Sequence, residues 1–168
     1  FYGFLKESSE IYNSNMANFT DAYSDIIKAS SWDQYGHRYN KTLLESSFIN
    51  SDDAGPFSCW TGDAGCYNRI RRQNEFLRDA PNYVGKFGEN FIKVRSAEVR
   101  FIRAFAYYRL IRVYGGVVIR TNVDGPDQND KARVSEAESW AQVIEDLKFA
   151  GENLPASWDN NGRITKAA

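Results

Sequence analysis

The sequence predicts an all-α fold, and three observations carry that reading. The run from Ala97 to Tyr114 is apolar nearly all the way round, laced with arginine, and closed by Gly115-Gly116. Two segments upstream repeat apolar residues at helical spacing. Downstream, Ser135 with Glu138 makes the reciprocal Ser-x-x-Glu pattern that opens helices.

Met16, Phe19, Ala22, Tyr23, Ile26 and Ile27 share one face of a helix over about residues 16–29. Residues 30–65 then carry Gly36, Gly55-Pro56, Gly62 and Gly65 among many Ser, Asn and Asp, which is turn chemistry. A connection this long within a compact domain tends to be functional. A second helix runs over about residues 63–78, with Tyr67, Ile70, Asn74 and Leu77 on one face. Asn74 lies within that apolar stripe, so its amide needs a buried partner, and nearby backbone is the expected one.

The long helix starts near Glu89 and ends at Gly115-Gly116, where glycine serves a C-terminal cap. At about 100° per residue, Val94, Phe101, Phe105 and Tyr108 fall within roughly 60° of one another. Val99, Ile102, Ala106, Leu110 and Val113 form a second apolar face. A helix with two apolar faces packs against neighbours on both sides. It is an interior helix of a superhelix or bundle. Residues 117–121 read as extended, and residues 124–131 as a surface loop in which Asp124, Asp127 and Asp130 are solvated turn residues. The fourth helix, opened at Ser135, carries an apolar stripe of Trp140, Val143, Ile144, Leu147, Ala150 and Leu154. Phe149 points away from that stripe, toward a further part of the protein or a partner.

Composition limits the function classes. The 168 residues are enough to bury a core as one domain. A net charge of −1 argues against a generic polyanion binder. The five arginines of the long helix are scattered round its axis without a basic stripe, so nucleic acid is not the expected partner. Those between apolar faces are expected to pair with carboxylates such as Glu98 or with loop carbonyls. Aromatic residues make up 15% of the chain, which supplies core area and also flat faces on which sugars stack. No stretch approaches the ~18–20 apolar residues of a membrane span. The chain has no leader or lipid-attachment cysteine near Phe1, and Thr165-Lys166-Ala167-Ala168 reads as the first turn of another helix. It is expected to be a piece of a longer protein. Cys59 and Cys66 flank a short loop that an exported protein could close with a disulfide; two thiols at the start of a helix is the alternative.

Catalysis finds little support. His37 is the one histidine and stands in a polar tract without cysteine or histidine at ligand spacing, against a catalytic triad or a zinc site. Glycosidase chemistry needs two carboxyl groups roughly 5–10 Å apart with split pKa values. Asp52, Asp53 and Asp63 could converge in the long loop, but aspartate is abundant in loops for turn reasons alone. Asp124, Asp127 and Asp130 lack the alternating spacing of a calcium loop.

A family resemblance rests on three blocks in order. Glu98 to Leu110 followed by Val113-Tyr114-Gly115-Gly116-Val117 resembles the hallmark stretch of the SusD/RagB family of Bacteroidetes-type cell-surface glycan-binding lipoproteins. Arg133-Val134-Ser135, Trp140, Ile144 to Leu147, Leu154-Pro155 and Gly162 to Ala168 agree downstream, and Tyr67 to Asn74 agrees upstream. One departure stands at Val118, where the family usually has proline after Gly-Gly-Val. The resemblance implies that residues 1–168 are a partial N-terminal region of the family fold, a tetratricopeptide-like helical superhelix with long loops. No clean 34-residue repeat is visible in the sequence itself.

It further implies binding without catalysis or cofactor. An oligo- or polysaccharide would be captured at the outer-membrane surface and delivered to a SusC-like TonB-dependent transporter. Membrane association would come only through a lipid anchor outside these residues. The alternative is a helical scaffold that docks the transporter without touching glycan. In SusD-like proteins a loop upstream of the second helix carries a sugar-stacking aromatic with polar partners. The loop Phe57-Ser58-Cys59-Trp60-Thr61-Gly62-Asp63 has that composition. By resemblance Trp60 is the platform, Asp63 a hydroxyl acceptor, and Tyr67 flanks them.

Overall fold

The computed structural model describes Tyr2 and residues 65–125, 130–159 and 162–168. Cys59–Ala168, with Phe1, form one compact unit and Tyr2–Ser58 another. The architecture below is that of the first unit. The helix expected over residues 16–29 lies outside the described residues, as does the loop up to residue 64 with His37, Asp52, Asp53, Cys59, Trp60 and Asp63.

Every regular element among the described residues is a helix, as the sequence predicts. Helix α1 is Cys66–Asp79. A 3-10 turn at Ala80–Tyr83 and the single turn α2, Val84–Phe87, lead into α3, Glu89–Tyr114. Helix α4 is Glu136–Asn153. Its first turn is held by the reciprocal capping box, with Ser135 Oγ accepting from the Glu138 N–H at 3.2 Å and the Ser135 N–H donating to Glu138 Oε2 at 2.9 Å.

Helix α3 lies between α1 and α4 and packs on both. Arg100 approaches Glu145 and Asp146 while Tyr108 meets Trp140, so α3 and α4 run antiparallel. Asn74 meets Arg103, and Phe76 and Ala80 share a cavity wall with Phe91, Ile92 and Arg95, so α1 and α3 do the same. Of the two expected apolar faces of α3, Val99, Ile102, Ala106 and Leu110 are core, joined by Ala97, Ala104, Tyr107 and Ile111. The other face, Val94, Phe101, Phe105 and Tyr108, is half-buried. The Val113 side chain lies outside the described set.

The stripe on α4 differs from the expected one. Ile144 and Leu147 are 49% and 41% exposed, and the buried face is Ser139, Val143, Asp146 and Ala150. That face is rotated by roughly 70° from the purely apolar one. The cause is polar. Arg103 of α3 donates to both oxygens of Asp146, at 2.7 and 2.6 Å, and draws that carboxylate into the interior. Arg103 also donates to Asn74 Oδ1 at 2.7 Å, so one guanidinium ties three helices together. Phe149, expected to point away from the apolar stripe toward a further part of the protein or a partner, meets α3 of this same unit: it lies under the Arg100 guanidinium, 4.3 Å from the ring centroid.

The end of α3 explains the glycine pair. Gly115 takes φ 66°, a region L side chains seldom enter, and its N–H closes the helix on the Ile111 carbonyl at 2.9 Å. Gly116 needs glycine for space, because a Cβ there would run into the Val134 carbonyl. Arg133 donates to the Gly116 and Tyr114 carbonyls at 2.8 and 2.7 Å, placing a cation at the negative end of the helix. After α4 the chain folds back. Arg163 stacks on Trp158 at 3.4 Å and makes a bidentate pair with Glu98 of α3, which also accepts from Arg95. Glu98 and the interior arginines are thus paired, as the sequence leads one to expect.

Candidate functional site

The segment after Gly116 is extended, and among the described residues no strand lies beside it along most of its length. Its peptide groups bond to side chains instead. The Tyr67 hydroxyl donates to the Val118 carbonyl at 3.1 Å and accepts from the Val118 N–H at 3.0 Å. Two residues on, the Tyr107 hydroxyl does the same for Arg120, at 2.9 and 2.7 Å. Asn74 Nδ2 donates to the Arg120 and Asn122 carbonyls at 2.9 and 3.1 Å, and Ser139 Oγ accepts from the Val117 N–H at 3.1 Å. Burial pushes the phenol of Tyr67, and more so that of Tyr107, up from its ordinary value, so both stay neutral and can donate and accept together. Val118 now has a physical consequence: proline there would lack the N–H that Tyr67 accepts.

The clamped segment and one face of α1 enclose a cleft of about 360 Å³. Tyr67, Asn68, Arg71 and Asn74 form the helical wall, at positions that share a face of a 3.6-residue helix. Val118, Arg120, Asn122 and Asp124 form the other wall. Asp124 corrects the expectation of a solvated turn residue. It is buried and accepts from Arg120 at 2.6 Å and from Lys131 at 2.8 Å. The hydrogen bond from Lys131 foremost, with that from Arg120, holds its carboxyl below the ordinary carboxylate range against the opposing effect of burial. Asp130 is exposed, and Asp127 lies outside the described residues.

A second cavity, about 340 Å³, is of opposite character. Phe76, Ala80, Tyr83, Phe87, Phe91 and Ile92 line it, with Arg95 at one side. Phe87 and Phe91 stack with centroids 5.4 Å apart, and the Arg95 guanidinium lies 4.8 Å from the Phe91 ring.

Of the residues expected to bind glycan, Tyr67 lies in the polar cleft with its hydroxyl committed to Val118. Trp60 and Asp63 lie outside the described residues. Sequence reasoning missed Asn68, Arg71, Arg120, Asn122 and Asp124. The first two could have been found from their spacing relative to Tyr67 on a helix. The last three belong to an irregular segment whose placement only the tertiary fold supplies. Cys66 is buried at the start of α1, and Cys59 lies outside the described residues. Among the described residues no cluster of His, Cys, Asp or Glu could hold a metal ion, and no helix is long and apolar enough to cross a membrane.

Comparison with known proteins agrees with this helical architecture. The SusD-like family described as starch-binding and associating with the outer membrane matches residues 3–168. A SusD-like protein of Formosa agariphila is 29% identical over 124 residues, covering 73% of this chain and 24% of the relative. A SusD-like protein of Bacteroides fragilis superposes with a TM-score of 0.54 at 34% identity, over 60% of this chain and 20% of the other. A laminarin-binding SusD-like protein superposes over 98% of this chain and 35% of its own, with a TM-score of 0.74 at 24% identity. The chain therefore spans about a quarter of the curated relative's length and a fifth to a third of these solved chains. With a family match over almost its entire length, on a helical frame shared with solved relatives, the chain belongs to the SusD-like family.

Proposed function

We propose that this chain is the part of a surface glycan-capture protein that holds an oligo- or polysaccharide without catalysis and presents it to a SusC-like TonB-dependent transporter. The family match over residues 3–168 carries the reading, since that family is described as starch-binding and outer-membrane-associated. The laminarin-binding neighbour supports the same ligand class. Trp60 serves as the stacking platform and Asp63 as a hydroxyl acceptor, with Tyr67 offering its ring edge because its hydroxyl is occupied. Binding without chemistry also suits the polar cleft. Among the described residues that line it Asp124 is the one carboxylate, paired with two cations, and it is not poised to move a proton.

A second reading, a scaffold that docks the transporter, is favoured by the exposed aromatic turn at Tyr83, Phe87 and Phe91. A glycan array on the full-length protein, with Trp60→Ala beside it, separates the two. Glycan capture through the loop predicts a hit weakened by about 1 kcal/mol or more in the mutant. A hit unchanged by the mutation would move the site away from Trp60. No hit across neutral and acidic panels would leave the docking scaffold.

A further inference from the structure

Sugar-binding sites ordinarily offer carboxylates and amide oxygens to accept hydroxyl protons, together with donors for the sugar oxygens. In the cleft between α1 and the clamped segment three acceptors, on Asp124, Asn74 and Tyr67, are already engaged. Asp124 uses Oδ1 for Lys131 and Oδ2 for both Arg120 and Lys131. Asn74 uses its carbonyl for Arg103 and its NH₂ for two backbone carbonyls. The Tyr67 hydroxyl both donates to and accepts from Val118. What stays open is mostly donor. Arg71, with a side chain 60% exposed, bonds only through Nε to Glu75 at 3.1 Å, and neither Nη group is engaged among the described residues. The Asn122 amide on the facing wall makes no side-chain hydrogen bond there either.

Charge points the same way. Arg71, Arg120 and nearby Lys131 carry three positive charges against the two negative ones of Asp124 and Glu75, the latter paired with Arg71 at 3.1 Å on the exposed side. The chain's overall charge of −1 does not steer anions from afar, so the attraction is local to this cleft. A guanidinium with two open Nη groups fits the paired oxygens of a carboxylate or sulfate, held by two parallel hydrogen bonds.

From these commitments we infer that the cleft binds an anionic saccharide unit, its carboxylate or sulfate oxygens on Arg71 and its hydroxyls against Asn122. The inference rests on the glycan-capture reading and narrows its ligand class. It adds a subsite separate from the Trp60 loop, built from side chains of α1 and the segment after α3.

The test is calorimetric titration of the full-length protein with three oligosaccharides of equal length. These are a galacturonate oligomer, a sulfated galactan oligomer and a neutral β-glucan. The cleft predicts that at least one anionic oligomer binds more tightly than the neutral one and weakens as sodium chloride is raised. Arg71→Gln should lose about tenfold or more of that affinity, and Arg71→Lys should recover part of it. Because Arg71 is exposed, neither variant should disturb folding, which a thermal melt checks. The uronate and sulfate arms tell which oxyanion is taken. Equal binding of neutral and anionic oligomers, or anionic binding indifferent to Arg71→Gln, would overturn the inference and leave glycan capture standing. Failure of all three ligands, with no hit on the array, would overturn both.

Discussion

The interface between α3 and α4 and the turn between α1 and α3 reverse the usual placement of polar and apolar groups. At the interface, a charged pair and an amide are fully enclosed: Arg103 and Asp146 are 3% and 0% exposed, and Asn74 seals the third side. At the turn, Tyr83, Phe87 and Phe91 are 52%, 48% and 43% exposed and cover mostly one another. Burial here follows partners and not residue type. A guanidinium can be interior when its donors find acceptors, and a phenylalanine stays half outside when the described residues cover only one of its sides.

Breaking the interior pair gives the largest expected effect. Asp146→Ala leaves the Arg103 guanidinium buried without its counter-charge, and stability should fall by about 3–5 kcal/mol in urea titrations. A loss under about 1 kcal/mol would mean that Arg103 escapes to solvent and the enclosure is not tight. Next comes Tyr107→Phe, which strips the hydroxyl from the half-buried N–H and carbonyl of Arg120. It should cost about 1–3 kcal/mol and raise amide hydrogen exchange at residues 118–122 first.

A smaller effect comes from acid. The folded Asp124 carboxyl is held below its ordinary value, so its ion pairs stabilise the protein above the unfolded pKa and are lost as pH falls through the folded one. Stability measured below about pH 4 should therefore decline less steeply in Asp124→Asn than in the parent. Parallel curves would show that Asp124 keeps the same pKa when unfolded. Phe87→Ser closes the series. An exposed aromatic released to water should shift stability by less than about 0.5 kcal/mol. A drop above about 1 kcal/mol in the full-length protein would show that the turn is covered there, and would remove the contrast with the interface.

The contrast also marks where sequence reading succeeds. The long helix and its end were legible because local chemistry determines them: apolar residues on two faces, then glycine for a positive φ and glycine for a close approach. The capping box of α4 was legible for the same reason. The buried face of α4 was not. Periodicity weighs Ile144 and Leu147 as core, and nothing local to α4 says that Asp146, facing Arg103 from 43 residues away, will displace them.

The candidate site divides in the same manner. Tyr67 was singled out by resemblance, and Asn68 and Arg71 follow from it along one helix face. Asp124 read as a solvated loop aspartate because its burial depends on where the extended segment is pinned. That pinning is done by hydroxyls and amides on three different helices.

The sequence by itself therefore determined the long helix with its glycine end, the capping box of α4 and the family, because backbone propensity, capping and motif spacing act over a few residues. The tertiary structure decided which face of α4 is interior and which polar groups are committed to one another. Hydrogen-bond and charge partners are set by distance in space, and periodicity along the chain carries no record of them.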